Sequence, residues 1–370
     1  MINLKNIAIE FLNLIENNGY KAYIVGGFVR DYLLGIETTD IDITTNATPK
    51  DIQKIFSDVK IKREKDDSSY GSIIVAYKNI EFQVTTFRKE YEYLDNRHPS
   101  KIEYVNDLYT DLLRRDFTIN TICMDKNSQI IDLLNGQEDL KNKTIKTISN
   151  SVKSFSDDSL RILRAIRFSA TLNFSMDDEL IEAIEKCKKY LKNISYERKK
   201  IELDKIFISK YAKKGIELIK KYKLENSLEL SNLDKILDFS DVIGIWSMIN
   251  SSCYKFSKHE KYLIKKVREV YELNKLDSYT LYKYGLYVSV LALGNRGISK
   301  RKITEMYNNL PIKSKNDIDI SAMEICNLLN KKPDVFLNNI YSKLEKLILD
   351  NKLNNNKEEI LNFLTENYLK

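Results

Sequence analysis

The chain changes texture once, and that change sets its fold class. Up to about residue 145, short strand-like stretches alternate with helical ones. From about Ser156 onward Leu, Ile, Lys, Glu and Asn recur with a 3.6-residue period and strand signals almost vanish, interrupted only by Pro311 and Pro333. Such a chain folds as an α+β protein, a head with a mixed sheet and helices followed by an all-α remainder. With 370 residues, 43% of them hydrophobic, it has material for more than one core. We divide it into residues 1–145, 146–205, 206–300 and 301–370.

Within the head, Ile7, Phe11, Leu14 and Ile15 recur at helical spacing, and Gly19 stops that helix. "KAYIV" reads as a strand, "GG" as a turn and "FVRDYLL" as a helix ended by Gly35. "TTDIDITT" (38–45) is the next strand, and Pro49 opens the helix of "ATPKDIQKIF". "GSIIVAYKNIEFQVTTFR" reads as two strands joined at Lys78-Asn79.

Composition narrows the classes. Cys123, Cys187, Cys253 and Cys326 form no CxxC pair, which argues against a disulfide framework or zinc cluster and for a reducing compartment. The amino terminus carries acids and amides where a signal peptide needs an apolar run, and "LYVSVLALG" is too short to span a bilayer. The expectation is a soluble, cytoplasmic protein with no membrane partner. Sixty basic against 53 acidic residues give a net charge of +7. That balance suits an anionic partner such as RNA, or simply a Lys-rich soluble surface.

In "TTDIDITT" the side chains of Asp40 and Asp42 point to one face while Ile41 and Ile43 point to the other. Carboxylates so close raise each other's pKa unless a cation separates them, and hard oxygen donors suit Mg²⁺. Two metal ions about 3.5–4 Å apart bridge the attacking and leaving oxygens of phosphoryl transfer. The plain alternative is a solvent face that binds nothing. Fourteen positions before Asp40, Gly26 and then Gly27 form a strand–GG–helix junction that lets backbone N–H groups approach a phosphate. Arg30, in the first turn of that helix, would hold a triphosphate or pair with Asp31. Cradle and carboxylate pair together describe a nucleotidyltransferase.

These blocks, "GGFVRDYLLG" and "TTDIDITT", resemble the signature of class II tRNA nucleotidyltransferases and bacterial poly(A) polymerases, members of the polymerase-β superfamily. The resemblance continues in "LLRRDFTIN" (112–120), "SDDSLRILRAIRF" (156–168) and "ISYERKKIEL" (194–203), in the family's order, over roughly residues 20–205. It implies a polymerase-β-like catalytic head (1–145), a nucleotide-selecting neck (146–205), a helical body (206–300) and a tRNA-binding tail (301–370). The implied reaction is template-independent addition of C, C and A to the 3′ end of tRNA, from CTP and ATP with Mg²⁺, and not on DNA. By the same resemblance Arg114 or Arg115 binds phosphate, and Asp116 and Asn120 position the sugar and brace the site.

On a single helix Asp158, Arg161, Arg164 and Arg167 would form an i+3 stripe opposite Leu160, Ile162, Leu163 and Ile166. A solvated basic face is the ordinary meaning of such a stripe. The resemblance gives a sharper one, in which Asp158 and Arg161 are a protein template for the base and Arg164 and Arg167 reach the nucleotide and its phosphates. C and A both present an exocyclic amine beside a bare ring nitrogen, which a carboxylate and a guanidinium match; G and U present a carbonyl beside N–H.

One residue departs from the family. Gln83 stands where a third carboxylate is common, and Glu81 shares its strand face. Residues 87–104, with Arg97-His98-Pro99, resemble the family's flexible loop near the incoming nucleotide, or are a plain surface loop. With His98 and His259 its only histidines, the chain lacks the ligands of the HD phosphohydrolase domain that some relatives carry. Trp246 is expected to pack rather than stack on a base. Rival readings are a poly(A) polymerase, a CC-only or A-only enzyme, and a non-catalytic RNA-binding protein.

Overall fold

A computed structural model describes residues 2–59, 61–62, 70–93, 96, 99–236, 241–249 and 252–369. The chain divides into two compact units, Met1–Glu229 and Leu230–Lys370. In the first, α1 (Ile2–Asn17) precedes β1 (Ala22–Val25), α2 (Gly27–Leu34), β2 (Ile41–Thr45), α3 (Pro49–Ile55), β3 (Ile61–Lys62), β4 (Ser72–Tyr77) and β5 (Ile80–Thr86). Next come β6 (Arg88–Tyr93), β7 (Pro99–Tyr104), α4 (Leu108–Leu113), β8 (Cys123–Met124), β9 (Ile130–Ile131), α5 (Gly136–Lys141) and β10 (Thr144–Ile145). The main sheet runs β3-β4-β5-β2-β1-β8-β9; β2 and β5 are parallel and its other pairings antiparallel, so the sheet is mixed as expected.

Local chemistry explains these elements. Ala8, Phe11, Leu12 and Ile15 are fully buried on one stripe of α1, whereas Leu14 faces out. The Phe11 ring stacks 4.4 Å from both Phe56, just past α3, and Phe82 of β5, clamping helices to sheet. Thr48 and Asp51 form a capping box at α3. Lys78 and Asn79, both at positive φ, make the two-residue turn that matches strand twist.

Two registers assemble the site. Val25 pairs with Asp42 across β1–β2, so Gly26 follows directly on the partner of an acid, and Asp42 pairs with Gln83 across β2–β5. Residues 87–104 differ from the loop expected: β6 and β7 form an antiparallel hairpin registered from Arg88↔Tyr104 to Tyr93↔Pro99. Cross-strand and same-face polar pairs hold it, Tyr91 Oη donating to Glu103 at 2.7 Å and Arg88 Nε to Glu90 at 2.7 Å. Arg97 and His98 lie outside the described residues.

The unit ends in α6 (Ser151–Asp157), α7 (Leu160–Leu172), β11 (Ser175–Met176), α8 (Asp178–Cys187), α9 (Tyr196–Phe207), α10 (Ala212–Lys221) and α11 (Glu225–Leu228). Gly215 brings α10 so close to α7 and α9 that a Cβ there would lie 2.6 Å from Ile206 and 2.9 Å from Ala170.

The second unit has no strand among its described residues. It comprises α12 (Val242–Met248), α13 (Lys258–Leu273), α14 (Ser278–Gly294), α15 (Lys300–Asn308), α16 (Ala322–Leu329), α17 (Phe336–Leu349) and α18 (Lys357–Tyr368). Capping boxes at Ser257 and Ser321 start α13 and α16, and Gly285, at φ 76°, kinks α14. Val267, Val270, Leu281, Ile303, Ile325 and Leu344 anchor its core. Trp246 is buried against Tyr254 and Phe256, as packing requires. Among the described residues no helix is long and apolar enough to cross a membrane.

Candidate nucleotide-binding and catalytic site

One cavity of about 650 Å³ in the first unit gathers most of the residues read from the sequence. Gly26, Gly27 and Arg30 line it, as do Asp40 and Asp42, Arg115, Asp116 and Asn120, and Asp158, Arg161, Arg164 and Arg167. Gly26 sits at φ 77°, ψ −129°, a conformation that only glycine adopts without strain, and caps the start of α2, its own N–H donating to Ile122 O at 3.2 Å.

Asp40 is exposed and Asp42 half-buried. Burial pushes the Asp42 carboxyl up, Arg115 draws it down and Asp40 pushes it up again. A repelling pair of oxygen donors, one of them partly desolvated, fits a divalent cation. Among the described residues no group of three or more His, Cys, Asp or Glu is placed to hold a metal. Gln83, level with Asp42, lines the cavity and offers a neutral amide oxygen; exposed Glu81 does not line it.

Behind the acids runs a chain of ion pairs and hydrogen bonds. Arg30 Nη1 donates to Asn120 Oδ1 at 2.7 Å, and Asn120 Nδ2 donates to Asp116 Oδ1 at 2.9 Å. Arg164 Nε donates to Asp116 Oδ2 at 2.7 Å. Arg30 also donates to Asp31 at 2.8 Å, the pairing that the sequence offered as its plain alternative. Burial alone would raise the Asp116 carboxyl, but the Arg164 guanidinium, the Asn120 hydrogen bond and the Arg161 charge together outweigh it and hold the group well below the usual range.

Asp158 does not begin the helix that carries the arginines. It is extended, at φ −135°, ψ 96°, in a break between α6 and α7. Its Oδ1 accepts from the Leu160 N–H at 3.1 Å, and Ser159 N donates to Asn96 O at 3.1 Å; both satisfy backbone groups that would otherwise continue the helix. Arg161, Arg164 and Arg167 keep their i+3 spacing on α7. The Arg161 guanidinium is fixed from two sides, donating to Ser154 Oγ at 2.8 Å and to Arg114 O at 2.7 Å, with Asp158 4.0 Å away.

Arg114 corrects the sequence reading. It lies outside the cavity lining, its Nε donating to Asp111 at 2.9 Å and its Nη1 to Glu90 at 3.5 Å. Asp111, fully buried, also accepts from Thr44 Oγ1 at 2.9 Å and pairs with Arg115 at 3.4 Å. Of the two neighbouring arginines, Arg115 faces the site and Arg114 braces it.

Other residues here were missed. The buried Phe168 ring lies 5.0, 5.7 and 4.2 Å from the guanidinium carbons of Arg30, Arg164 and Arg167, a platform that spaces three like charges. Its position four residues after Arg164 was the available signal. Glu202 of α9 stands 2.7 Å from Arg167 Nε and 3.9 Å from Arg164 Nη1. Lys205, one turn further along α9, completes the wall.

Comparison with known proteins follows the same outline. Residues 22–146 match the family described as Poly A polymerase head domain, residues 173–231 the RNA and SrmB-binding site of polymerase A, and residues 247–364 tRNA nucleotidyltransferase domain 2. The Bacillus stearothermophilus CCA-adding enzyme, solved in complex with CTP, superposes with a TM-score of 0.82 at 24% identity, over 97% of this chain and 96% of that one. The Thermotoga maritima CCA-adding enzyme complexed with tRNA gives 0.68 at 20% identity, over 97% and 94%. The CCA-adding enzyme of Staphylococcus epidermidis is 35% identical over 95% of this chain and 96% of its own length. Kinship at that level, along nearly the whole length of both proteins, makes this chain a member of the CCA-adding tRNA nucleotidyltransferase family.

Proposed function

We propose that this chain completes the CCA end of tRNA in the cytoplasm, adding C, C and A from CTP and ATP without a nucleic-acid template. The observation that carries the reading is one cavity holding a carboxylate pair, a glycine phosphate cradle and an Asp–Arg pair. Gly26, Gly27, Arg30 and Arg115 bind the triphosphate, and Asp116 with Asn120 sets the ribose. Asp40 and Asp42, with Gln83 beside them, are the residues that would hold Mg²⁺, which when bound would supply a lowered pKa for the acceptor hydroxyl and charge compensation for the leaving group.

The 3′-oxygen of the RNA bonds to the α-phosphorus as the bond from that phosphorus to the bridging oxygen breaks. The electron pair leaves with pyrophosphate, and the hydroxyl proton passes to water. Asp158 accepts from the exocyclic amine of C or A while Arg161 donates to the ring nitrogen, a match worth on the order of 1–3 kcal/mol over G or U. Residues 146–205 thus act as the selecting neck, and residues 206–300 and 301–370 as RNA-gripping body and tail.

The test is extension of a tRNA lacking its last three nucleotides, with Mg²⁺ and each NTP singly and in pairs. CTP alone should add two residues, and A should follow only then. A ladder of A on any RNA would replace this reading with poly(A) synthesis. No incorporation at all would leave an RNA-binding protein.

A further inference from the structure

Arg30, Arg164 and Arg167 gather around the Phe168 ring, but they are not held there in the same way. Arg30 donates to Asp31 and Asn120, and Arg164 donates to Asp116. Among the described residues the Arg167 guanidinium makes no hydrogen bond. Its Nε is buried and unsatisfied, because Glu202, 2.7 Å away, lies outside the direction of that N–H. Burial and the nearby Arg164 and Arg30 charges work against the Arg167 cation, and Glu202 offsets only part of this. Glu202 therefore supplies charge without direction. Direction comes from the ring, whose centre lies 4.2 Å from the Arg167 guanidinium carbon.

The ring is itself fixed. Phe168 is 4% exposed and meets the fully buried Phe117 edge-on, with centroids 5.7 Å apart and planes at 87°. Phe117 follows Asp116 in the chain, so one dipeptide pairs with Arg164 and braces Phe168. An aromatic face attracts a guanidinium through its quadrupole and takes none of its N–H donors. A carboxylate in hydrogen-bonding position would use those donors up. Arg167 thus lines the cavity with its donors unspent.

We propose that Phe168 is a positioning residue for the nucleotide: its face sets the Arg167 guanidinium so that the unspent N–H donors go to the triphosphate. This inference rests on the nucleotidyltransferase reading and adds to it an apolar residue that acts on the phosphates through Arg167.

Phe168→Leu keeps an apolar side chain and removes the ring. Binding to the full-length protein is measured separately for tripolyphosphate and for cytidine, with Mg²⁺ present in both. The Kd for tripolyphosphate should rise about fivefold or more, while that for cytidine and the preference for CTP over UTP stay within about twofold. Phe168→Tyr, which restores a ring, should recover most of the lost affinity. In an Arg167→Ala background, Phe168→Leu should cost nothing further. A merely structural Phe168 would weaken both ligands together. That result, an unchanged tripolyphosphate Kd, or a full additional loss in the Arg167→Ala background overturns the inference. If Phe168→Leu does not fold, pentafluorophenylalanine at position 168 takes its place, since it keeps the ring's shape and reverses its quadrupole. Weakened tripolyphosphate binding is then expected, and retained affinity overturns the inference. Neither measurement needs turnover, so the two failures stay separate. An unsubstituted protein that binds neither ligand removes the nucleotide site itself, and this inference with it; a variant that binds both like its parent removes only the role of Phe168.

Discussion

Asp116 and Asp42 are carboxylates on one cavity whose surroundings push them in opposite directions. Asp116, 8% exposed, is held ionised by Arg164 and Asn120. Asp116→Asn leaves Arg164 under-compensated, and we expect a loss of about 3 kcal/mol in urea unfolding at neutral pH. Because the folded carboxyl sits below its unfolded value, its contribution is complete above about pH 4 and is lost as pH falls through the folded value. The stability gap between the unsubstituted protein and Asp116→Asn should therefore be flat from pH 5 to 8 and close only in stronger acid; a gap that grows on acidification refutes this. Asp42 is the reverse case, destabilised by burial and by Asp40. Without metal, Asp42→Asn should stabilise the protein by about 1 kcal/mol in thermal melting while abolishing CTP incorporation. A variant less stable than its parent would show that the pair is not strained.

At the scale of elements, what the sequence made legible was local. The GG junction, the DxD strand and the Lys78-Asn79 turn each carry their geometry in adjacent residues. The break at Asp158 was hidden because an i+3 stripe reports a shared face, not whether the chain runs unbroken to it. The Arg114–Arg115 choice was hidden because both pair with Asp111 one helical turn back, and what engages Arg114 away from the cavity is Glu90 of β6, which only tertiary packing brings to it. The β6–β7 hairpin was read as a loop because its charges masked a strand alternation. Gly215 belongs to this scale too. Ala there would gain about 1 kcal/mol of helix propensity, but its Cβ, 2.6 Å from Ile206, overpacks the α7–α9–α10 contact at a cost of about 1–3 kcal/mol. We expect Gly215→Ala to lower stability and, through α7, to lower kcat/KM for CTP severalfold. Stability raised with activity intact would mean that the contact relaxes freely.

For the molecule as a whole, charge is unevenly shared. Residues 230–370 carry 22 basic against 17 acidic side chains, whereas residues 1–229 carry 38 against 36. Most of the net positive charge therefore lies outside the catalytic unit, where arginines are already matched by Asp116, Glu202 and Asp111. Surplus cations on a surface favour phosphate neutralisation with release of counterions, and that term is salt-dependent. If about six phosphates are neutralised, tRNA affinity should fall on the order of 10³-fold between about 50 and 200 mM KCl, linearly on a double-logarithmic plot. Lys261 and Lys265 are exposed on one side of α13, and replacing both with Gln should reduce that slope by about 1 to 2. CTP binding in the absence of RNA should stay as it was, since these lysines lie outside the cavity proposed for the nucleotide. Fluorescence anisotropy of a 5′-labelled tRNA across the salt series measures the slope directly. An affinity that ignores salt, or a double variant with the parent's slope, would move RNA recognition away from this surplus and onto the head.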